Sequence, residues 1–327
     1  MEDKKQEKTV TETLYIENFI NIKKFNWEIK EFNILTGHMA AGKSIIMKLI
    51  WFLQDILYRQ IFIPASSFTR KDLDEAIFFE KLSASFSRIF AQSIDYTRTI
   101  IDYKFEYDGK KFDIKAVWDK NKKQLEWSSE YLRTHLKEWQ SFFGNDESIV
   151  NISKAVSDRI YQSISSEFGG TFPLGTLFVP ASRAIAAISN ALEFKDIYIT
   201  RFISNCSFFR NNLEALEIQE TLRLLMFENL ELEGGQLVAT LKDETGKVTP
   251  EYLSSGQQEL LYLMLMMNYT ESFAGNITSP VVYSERASLF IEEPEAHLFP
   301  LEQAAKCITL MKQVTSNEHW TCVHKIA

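Results

Sequence analysis

The spacing of hydrophobic residues predicts that the chain begins with strands. Hydrophobic and polar residues alternate over residues 13–18 and 25–30, and residues 32–35 form a short apolar run that ends at Thr36-Gly37. A helical pattern over residues 43–58 follows after a short loop. We therefore predict three strands, then a loop and a helix.

The rest of the chain mixes helical and strand patterns without a repeat or a linker. Helices are predicted at residues 67–92, 129–143, 149–167, 190–229, 256–273 and 301–314. Strands are predicted as a hairpin or meander at residues 100–127, a hairpin around Gly234-Gly235, and single strands at residues 174–180, 287–291 and 320–323. This order indicates one α/β body over residues 1–327, with a mostly helical insertion at residues 129–250.

The composition is that of a folded, soluble chain. Of 327 residues, 45% are hydrophobic and 24% are charged, which excludes disordered, collagen-like and coiled-coil classes. The net charge of −8 argues against a small basic module that coats nucleic acid. The three cysteines form no C-x-x-C pair, so neither a disulfide framework nor a zinc site is indicated. With no signal sequence and no uninterrupted apolar span, we expect a cytoplasmic protein that does not enter the membrane.

Eight consecutive residues carry the strongest chemical signal. They fit the phosphate-loop pattern G-x-x-x-x-G-K-[ST] between a predicted strand and a predicted helix: Gly37, His38, Met39, Ala40, Ala41, Gly42, Lys43 and Ser44. Backbone N–H groups and the helix N-terminus form a cradle for phosphate, Lys43 can reach the β- and γ-phosphates, and the Ser44 hydroxyl can ligate Mg²⁺. The sequence therefore predicts a nucleotide site here.

Two carboxylates follow the predicted strand at residues 287–291. Glu292 and Glu293 come directly after apolar residues, with Pro294 and Glu295 behind them. A core parallel strand delivers such residues to the ligand crevice, where one carboxylate can hold Mg²⁺ and the next can orient an attacking water. Alone, this run is also typical of a solvated turn, but the phosphate loop favours the first interpretation.

A third segment opens the predicted helix at residues 256–273. It contains Ser254, Ser255, Gly256 and Gln257. A serine at a helix start is an ordinary N-cap. Small residues at a helix N-terminus also leave N–H groups for a γ-phosphate, and the sequence leaves both interpretations open.

Taken in order, these motifs resemble the ABC-type ATPase heads of the branch that includes RecF, SMC and OLD-type proteins. The matching segments are the phosphate loop, LSSGQQ at residues 253–258, FIEEPEAHL at residues 290–298 and the opening YIENF. The resemblance implies an α/β P-loop NTPase fold with an N-terminal antiparallel β subdomain and a largely helical insertion. The Glu-Glu-Pro-Glu variant is most like OLD-type and related stand-alone ATPases of prokaryotic genome defence.

The resemblance also implies roles. Lys43 would contact phosphate, Ser44 and Glu292 would serve Mg²⁺, and Glu293 would be the catalytic carboxylate. Residues 254–257 would form the signature loop, which closes on the ATP of a second copy, so a homodimer with ATP between its heads is implied. A nuclease or other effector is the implied partner, and DNA contact would be indirect.

Three departures from the family pattern add expectations. Ala40 replaces a glycine that most such heads carry, so its methyl group is expected to weaken nucleotide binding. The usual histidine switch is missing; His324 lies at a suitable distance from Glu293 to replace it, or is simply exposed. The sequence ends three residues after His324, where related heads continue, so a truncated member with impaired hydrolysis is expected. Arg183, in a segment like one found in stand-alone relatives, would approach the nucleotide or be exposed without a role.

Three functions remain open at this point. The first is an ATPase that uses ATP-Mg²⁺ to drive a DNA-linked or anti-phage defence partner. The second is the nucleotide-binding subunit of a membrane transporter, which the long excursion between phosphate loop and signature disfavours. The third is a non-hydrolysing scaffold gated by ATP, which Ala40 favours. No second carboxylate constellation is present in the sequence, so we expect no DNA cleavage by this chain alone.

Overall fold

The computed structural model describes the following parts of the chain: residues 9–38, 40–62, 68–90, 97–143, 150–182, 186, 197–211, 213, 222–223, 225–242, 246–273, 287–293 and 320–325. The predicted helix at residues 301–314 lies outside these ranges, as do Met39, Arg183 and Glu295.

The elements follow the predicted order of strands and helices. The strands are β1 (Val10–Phe19), β2 (Ile22–Ile29), β3 (Phe32–Leu35), β4 (Ile100–Tyr107), β5 (Lys110–Asp119), β6 (Gln124–Ser128), β7 (Gly175–Val179), β8 (Phe227–Glu233), β9 (Gln236–Leu241), β10 (Lys247–Val248), β11 (Ala287–Glu292) and β12 (Trp320–Lys325). The α-helices are α1 (Lys43–Gln54), α2 (Glu75–Ile89), α3 (Glu130–Ser141), α4 (Val150–Phe168), α5 (Ile197–Asn211) and α6 (Ser255–Phe273). Short 3-10 helices lie at Arg70–Leu73 and Pro250–Tyr252, and a π-helical turn lies at Tyr58–Phe62.

Five antiparallel strands form an N-terminal sheet in the order β2-β1-β4-β5-β6. Leu14 of β1 pairs with Trp27 of β2 on one side and with Tyr103 of β4 on the other. Because side chains alternate along a strand, Leu14 and Ile16 share one face, and both are fully buried. The predicted strands at residues 13–18 and 25–30 and the predicted meander at residues 100–127 are confirmed.

Four parallel strands form a second sheet in the order β3-β12-β11-β7. Strand β12 lies between β3 and β11, so that His324 pairs with Ile34 of β3 and with Ile291 of β11. Parallel strands end at the same edge of a sheet. The loop after β3 and the residues after β11 therefore leave the sheet at one edge, although they come from opposite ends of the sequence.

Helix α1 packs against both sheets. Trp51 lies against Phe178 of β7 with ring centroids 5.6 Å apart, and Phe52 lies against Trp127 of β6 at 5.9 Å. Both Trp51 and Phe52 are fully buried. Residues 49–53 of α1 are apolar and buried on every side, because the two sheets enclose this part of the helix.

A buried ionic cluster fixes the C-terminal end of α1. Asp55 follows the last residue of the helix and is 0% exposed. Its carboxylate accepts hydrogen bonds from the Thr176 hydroxyl at 2.8 Å, from Arg59 Nη2 at 2.9 Å, and from Arg201. Burial lowers the pKa of the Arg59 guanidinium, and the neighbouring Asp55 carboxylate opposes that shift. The Asp55 cluster ties α1 to β7 and α5.

Residues 129–250 contain helices and strands. Helices α3, α4 and α5 lie in this range, but β7, between α4 and α5, belongs to the parallel sheet. Strands β8 and β9 form the predicted hairpin around Gly234-Gly235, with β10 beside β9. That residues 129–250 form an insertion of their own stays a prediction. None of the described helices is long and apolar enough to cross a membrane.

Candidate functional site

The phosphate-loop residues connect β3 to α1 through left-handed backbone. Gly42, which caps α1, has φ +91°, and its carbonyl accepts a hydrogen bond from the Ile46 N–H at 2.9 Å. A Cβ at this position would lie 2.9 Å from Asn21 Oδ1 and 3.1 Å from Ile22 Cγ1. Both the backbone angle and the close approach require glycine, which explains the second glycine of the motif.

The Lys43 side chain folds back onto the phosphate loop. Its side chain is largely buried, at 9% exposure for the residue, and its ammonium donates to the backbone carbonyls of Gly37 and, at 3.2 Å, His38. Ser44 is half-buried in the first turn of α1. The first N–H groups of a helix have no partner within it, and the helix dipole favours negative charge there. The structure therefore brings a cation and a helix N-terminus to one loop, as the sequence predicts.

Ala40 adopts a conformation that favours glycine. Its φ is +61°, in the left-handed region that costs an L-residue other than glycine roughly 1–2 kcal/mol. Its carbonyl accepts a hydrogen bond of 2.6 Å from the Asn21 amide, which lies on the turn between β1 and β2. The expected weakening of nucleotide binding by Ala40 stays a prediction.

A cavity of about 380 Å³ opens beside the loop. Its lining combines the β1–β2 turn, the end of β3 and the start of α1: Asn21, Ile22, Lys23, Lys24, Phe25, Leu35, Thr36, Ala41, Lys43 and Ile46. Three of these residues are lysines, and Phe25 adds an aromatic ring. Small-molecule sites usually have volumes of this order and a few polar groups on an apolar lining. The positive charge is local, because the whole chain carries −8, and it suits an anionic ligand.

The acidic residues lie at the same edge of the parallel sheet. Glu292 ends β11 and is only 6% exposed, and its Oε2 accepts a long hydrogen bond of 3.4 Å from the Ala181 N–H, just after β7. Glu293 is half-buried and has φ +45°, an unusual angle for a residue other than glycine. Strand β11 is two places from β3, which corresponds to about 10 Å at the usual strand spacing. Glu292 and the phosphate loop are therefore at the same edge, on strands that one other strand separates.

His324 lies in β12, the strand between β3 and β11. Its backbone pairs with Ile34 and Ile291, and the next residue, Lys325, pairs with Glu292. The histidine is thus one position before the edge at which the phosphate loop and the carboxylates emerge. This location suits the predicted switch, and its catalytic role stays a prediction.

The signature segment forms a capping box at the start of α6. The Ser254 hydroxyl donates to Gln257 Oε1 at 2.9 Å and accepts from the Gln257 N–H at 3.3 Å, while the Ser254 N–H donates to the same Oε1 at 3.2 Å. Gln257 Nε2 also donates to the Leu225 carbonyl at 3.0 Å. The N-cap interpretation therefore applies to Ser254, whereas Ser255 is exposed and Gly256 is half-buried. Among the described hydrogen bonds and ion pairs, none joins residues 254–257 to the phosphate loop.

Sequence reasoning missed two contacts at this site. Asn21 supports the phosphate loop, and the Ala181 N–H contacts Glu292. Asparagine is common in turns for local reasons, and a backbone N–H has no residue type, so neither contact leaves a signal in the sequence.

Comparison with known proteins gives one family and several similar folds. The profile of the family described as "AAA domain, putative AbiEii toxin, Type IV TA system" matches residues 32–317, which include both the phosphate loop and the acidic residues. No curated protein matches the sequence.

Solved structures that match the chain include the SMC head domain from Thermotoga maritima and the recombination mediator protein RecF of the RecFOR pathway. The SMC head is 12% identical with a TM-score of 0.42, and the match covers 97% of this chain and 88% of that chain. One RecF structure, described as RecF-ATPrS, is 14% identical with a TM-score of 0.39, and the match covers 97% of this chain and 92% of that chain. RecF-ATP is 12% identical with a TM-score of 0.39, at 96% and 91% coverage.

Proposed function

We propose, from the premise that this chain belongs to the AbiEii-type AAA domain family, that it binds ATP with Mg²⁺ and hydrolyses ATP. One observation carries the proposal: the phosphate loop after β3 and the two glutamates at the end of β11 lie at the same edge of one parallel sheet. A cation and a helix N-terminus on one side and a buried carboxylate on the other suit the phosphates and metal of a nucleotide.

Each group at this edge has a defined task in the proposal. Lys43 exchanges the carbonyls of Gly37 and His38 for the β- and γ-phosphates, and the N–H groups of the loop and the first turn of α1 bind the phosphate oxygens. Glu293, which the strained backbone holds at the end of β11, orients the attacking water. His324 contacts the transferred phosphate from the strand between them.

Ser44 and Glu292 would hold Mg²⁺. Glu292 is buried and accepts a hydrogen bond from the Ala181 N–H, and a buried carboxylate is stabilised by a nearby cation. Within the described ranges, no three His, Cys, Asp or Glu side chains converge as a metal site. One or two protein ligands suit Mg²⁺, which keeps its waters and neutralises charge on the phosphates.

The signature segment supports a homodimer with ATP between its heads. Ser254 and Ser255 are exposed at the start of α6, where the first backbone N–H groups have no partner within the helix. Gln257 holds this end of the helix through its hydrogen bonds to Ser254 and Leu225, so the N–H groups of residues 255–256 keep one orientation. In the proposed dimer they bind the γ-phosphate held by the other copy. ATP turnover would then control a defence or DNA-linked effector, with DNA contact left to that partner.

Single-turnover release of phosphate from ATP tests the enzymatic part. Glu293→Gln should lower the rate at least about 100-fold with ATP still bound, because general-base groups contribute roughly 10²–10⁴ in rate. Glu228→Gln, an exposed glutamate of β8, is the matched control and should release phosphate at the wild-type rate.

The same variant tests the dimer. Analytical ultracentrifugation of Glu293→Gln should give a dimer with ATP-Mg²⁺ and a monomer without it. Equal phosphate release by wild type and Glu293→Gln would instead support the non-hydrolysing scaffold that the sequence also allows. A monomer at saturating ATP would refute the sandwiched dimer.

A further inference from the structure

The turn between β1 and β2 supports the phosphate loop from the side. The Asn21 amide donates to the carbonyl of Ala40 at 2.6 Å, across 19 positions of sequence. We propose that Asn21 is a positioning residue for nucleotide binding, which holds Ala40 and the loop around it in the conformation that receives phosphate. This inference rests on the proposed function and concerns the same site.

The hydrogen bond from Asn21 offsets backbone strain at Ala40 in the phosphate loop. Ala40 has φ +61°, an angle that glycine adopts without strain and alanine does not. Without a partner for its carbonyl, Ala40 would gain by rotating toward an ordinary backbone conformation. The hydrogen bond also directs the Ala40 carbonyl toward the β1–β2 turn. In this orientation the carbonyl oxygen does not face a bound phosphate, whose negative charge it would repel. Asn21 thus offsets the effect of alanine in place of glycine.

The turn that carries Asn21 is itself strained. Ile20 has φ +55°, which is rare for a β-branched residue, and Asn18 has φ +51°. Such angles persist only where the surrounding structure holds them, and they are concentrated at functional sites. Asn21 also lies close to the end of the loop, since its Oδ1 is 2.9 Å from the place of a Cβ on Gly42. The turn therefore bonds the loop at the Ala40 carbonyl and lies close to it at Gly42.

The alternative is that Asn21 is only a turn residue, since asparagine suits turns through local hydrogen bonds. In that case its removal changes the stability of the β1–β2 hairpin and nothing at the loop. The two accounts differ in their dependence on residue 40. If Asn21 offsets the strain at Ala40, its removal matters much less once residue 40 is glycine.

Titration with a fluorescent ATP analogue tests this in four proteins: wild type, Asn21→Ala, Ala40→Gly and the double variant. Asn21→Ala should weaken binding about 5- to 10-fold, the size expected from one lost hydrogen bond. In the Ala40→Gly background the same change should cost less than about 2-fold. Asn18→Ala removes an exposed amide from β1, close to the same turn, that donates to the Arg98 carbonyl, and it should leave the affinity unchanged. The thermal midpoint without nucleotide reports hairpin stability separately.

Two results would overturn the inference: wild-type affinity in Asn21→Ala, or an equal loss in both backgrounds. If wild type itself does not bind the analogue, the proposed function fails, and hydrogen exchange at the loop decides on the positioning contact. The Ala41 N–H donates to the His38 carbonyl at 3.2 Å, so its exchange reports loop order. It should exchange faster in Asn21→Ala than in Asn18→Ala, and equal exchange rates would overturn the positioning role.

Discussion

Asp55 offers a direct test of how α1 is held in place. Its carboxylate is fully buried and accepts hydrogen bonds from Thr176 of β7, Arg59 and Arg201 of α5. Replacement by asparagine keeps the size of the side chain but removes its charge. Two guanidinium groups would then face each other in the interior without a counter-ion, and the attachment of the phosphate-loop helix to α5 would be weakened.

The expected loss of stability follows from the burial of this cluster. Removing one partner of a buried ion pair costs roughly 3–5 kcal/mol. For 327 residues, an unfolding entropy of about 2.1 cal/mol/K per residue gives about 0.7 kcal/mol/K. Asp55→Asn should therefore lower the thermal midpoint by about 4–7 °C. Thr176→Val removes only a neutral hydrogen bond of about 1 kcal/mol, so its midpoint should fall by about 1–2 °C.

Differential scanning calorimetry of Asp55→Asn, Thr176→Val and a control variant checks these values. The control is Asp108→Asn, which makes the same chemical change at the exposed turn between β4 and β5. A second replacement, Arg201→Leu in the Asp55→Asn background, should recover part of the loss, because one of the two unpaired charges is then gone. A midpoint for Asp55→Asn that equals the control would refute the reasoning, as would a further decrease in the double variant.

Two further predictions concern other parts of the head. Burial and the 2.8 Å hydrogen bond to Glu167 raise the pKa of Tyr131, so the stability it contributes is complete below its ordinary pKa of about 10 and is lost as the pH rises above that value. Urea midpoints between pH 8 and 11 should therefore fall more steeply in wild type than in Tyr131→Phe, and parallel curves would contradict this. Gln257→Ala breaks the capping box of α6 and should cost about 1 kcal/mol in urea unfolding, whereas the exposed Gln236→Ala of β9 should cost almost nothing. Equal costs for the two glutamines would contradict the capping role.

Local patterns predicted most of the elements, because their signals lie within a few residues. The meander at residues 100–127 turns at Asp108 and Gly109, which have φ +49° and +78°, the angles that such a dipeptide favours in a hairpin. The strands at both ends of the parallel sheet were predicted from short apolar runs. The resemblance to ATPase heads, drawn from motif order, is confirmed by the family profile, and the α/β P-loop fold class is confirmed with it.

Element boundaries depended on contacts that local patterns do not contain. The first helix was predicted as one element over residues 43–58; α1 ends at Gln54, and after a turn at Asp55 helical structure continues into the π-helical turn at Tyr58–Phe62. The helix predicted at residues 67–92 is a 3-10 turn followed by α2, because Asp74 caps the N–H groups of Ala76 and Ile77. That cap was visible in the sequence, whereas the partners of Asp55 were not.

In the candidate site, too, some features could be predicted from the sequence and others could not. Lys43 and Glu292 were predicted from motifs with a chemical reason for each residue type, and the sheet places both at one edge. The position of β12 between β3 and β11 was not predictable, since a strand order depends on pairings between distant segments. Asn21 lies 19 residues before Ala40 in the sequence, so its hydrogen bond to the Ala40 carbonyl could be found only in the structure.

Calorimetric titration with ATP-Mg²⁺ tests the central claim most directly. Wild type should bind ATP, and Lys43→Ala should lose at least about 10-fold in affinity, because the ammonium makes charge-assisted contacts with phosphate. Lys30→Ala, an exposed lysine just before β3, is the matched control and should bind as wild type does. Equal affinity in wild type and Lys43→Ala would contradict the account, since the phosphate loop would then not be the nucleotide site.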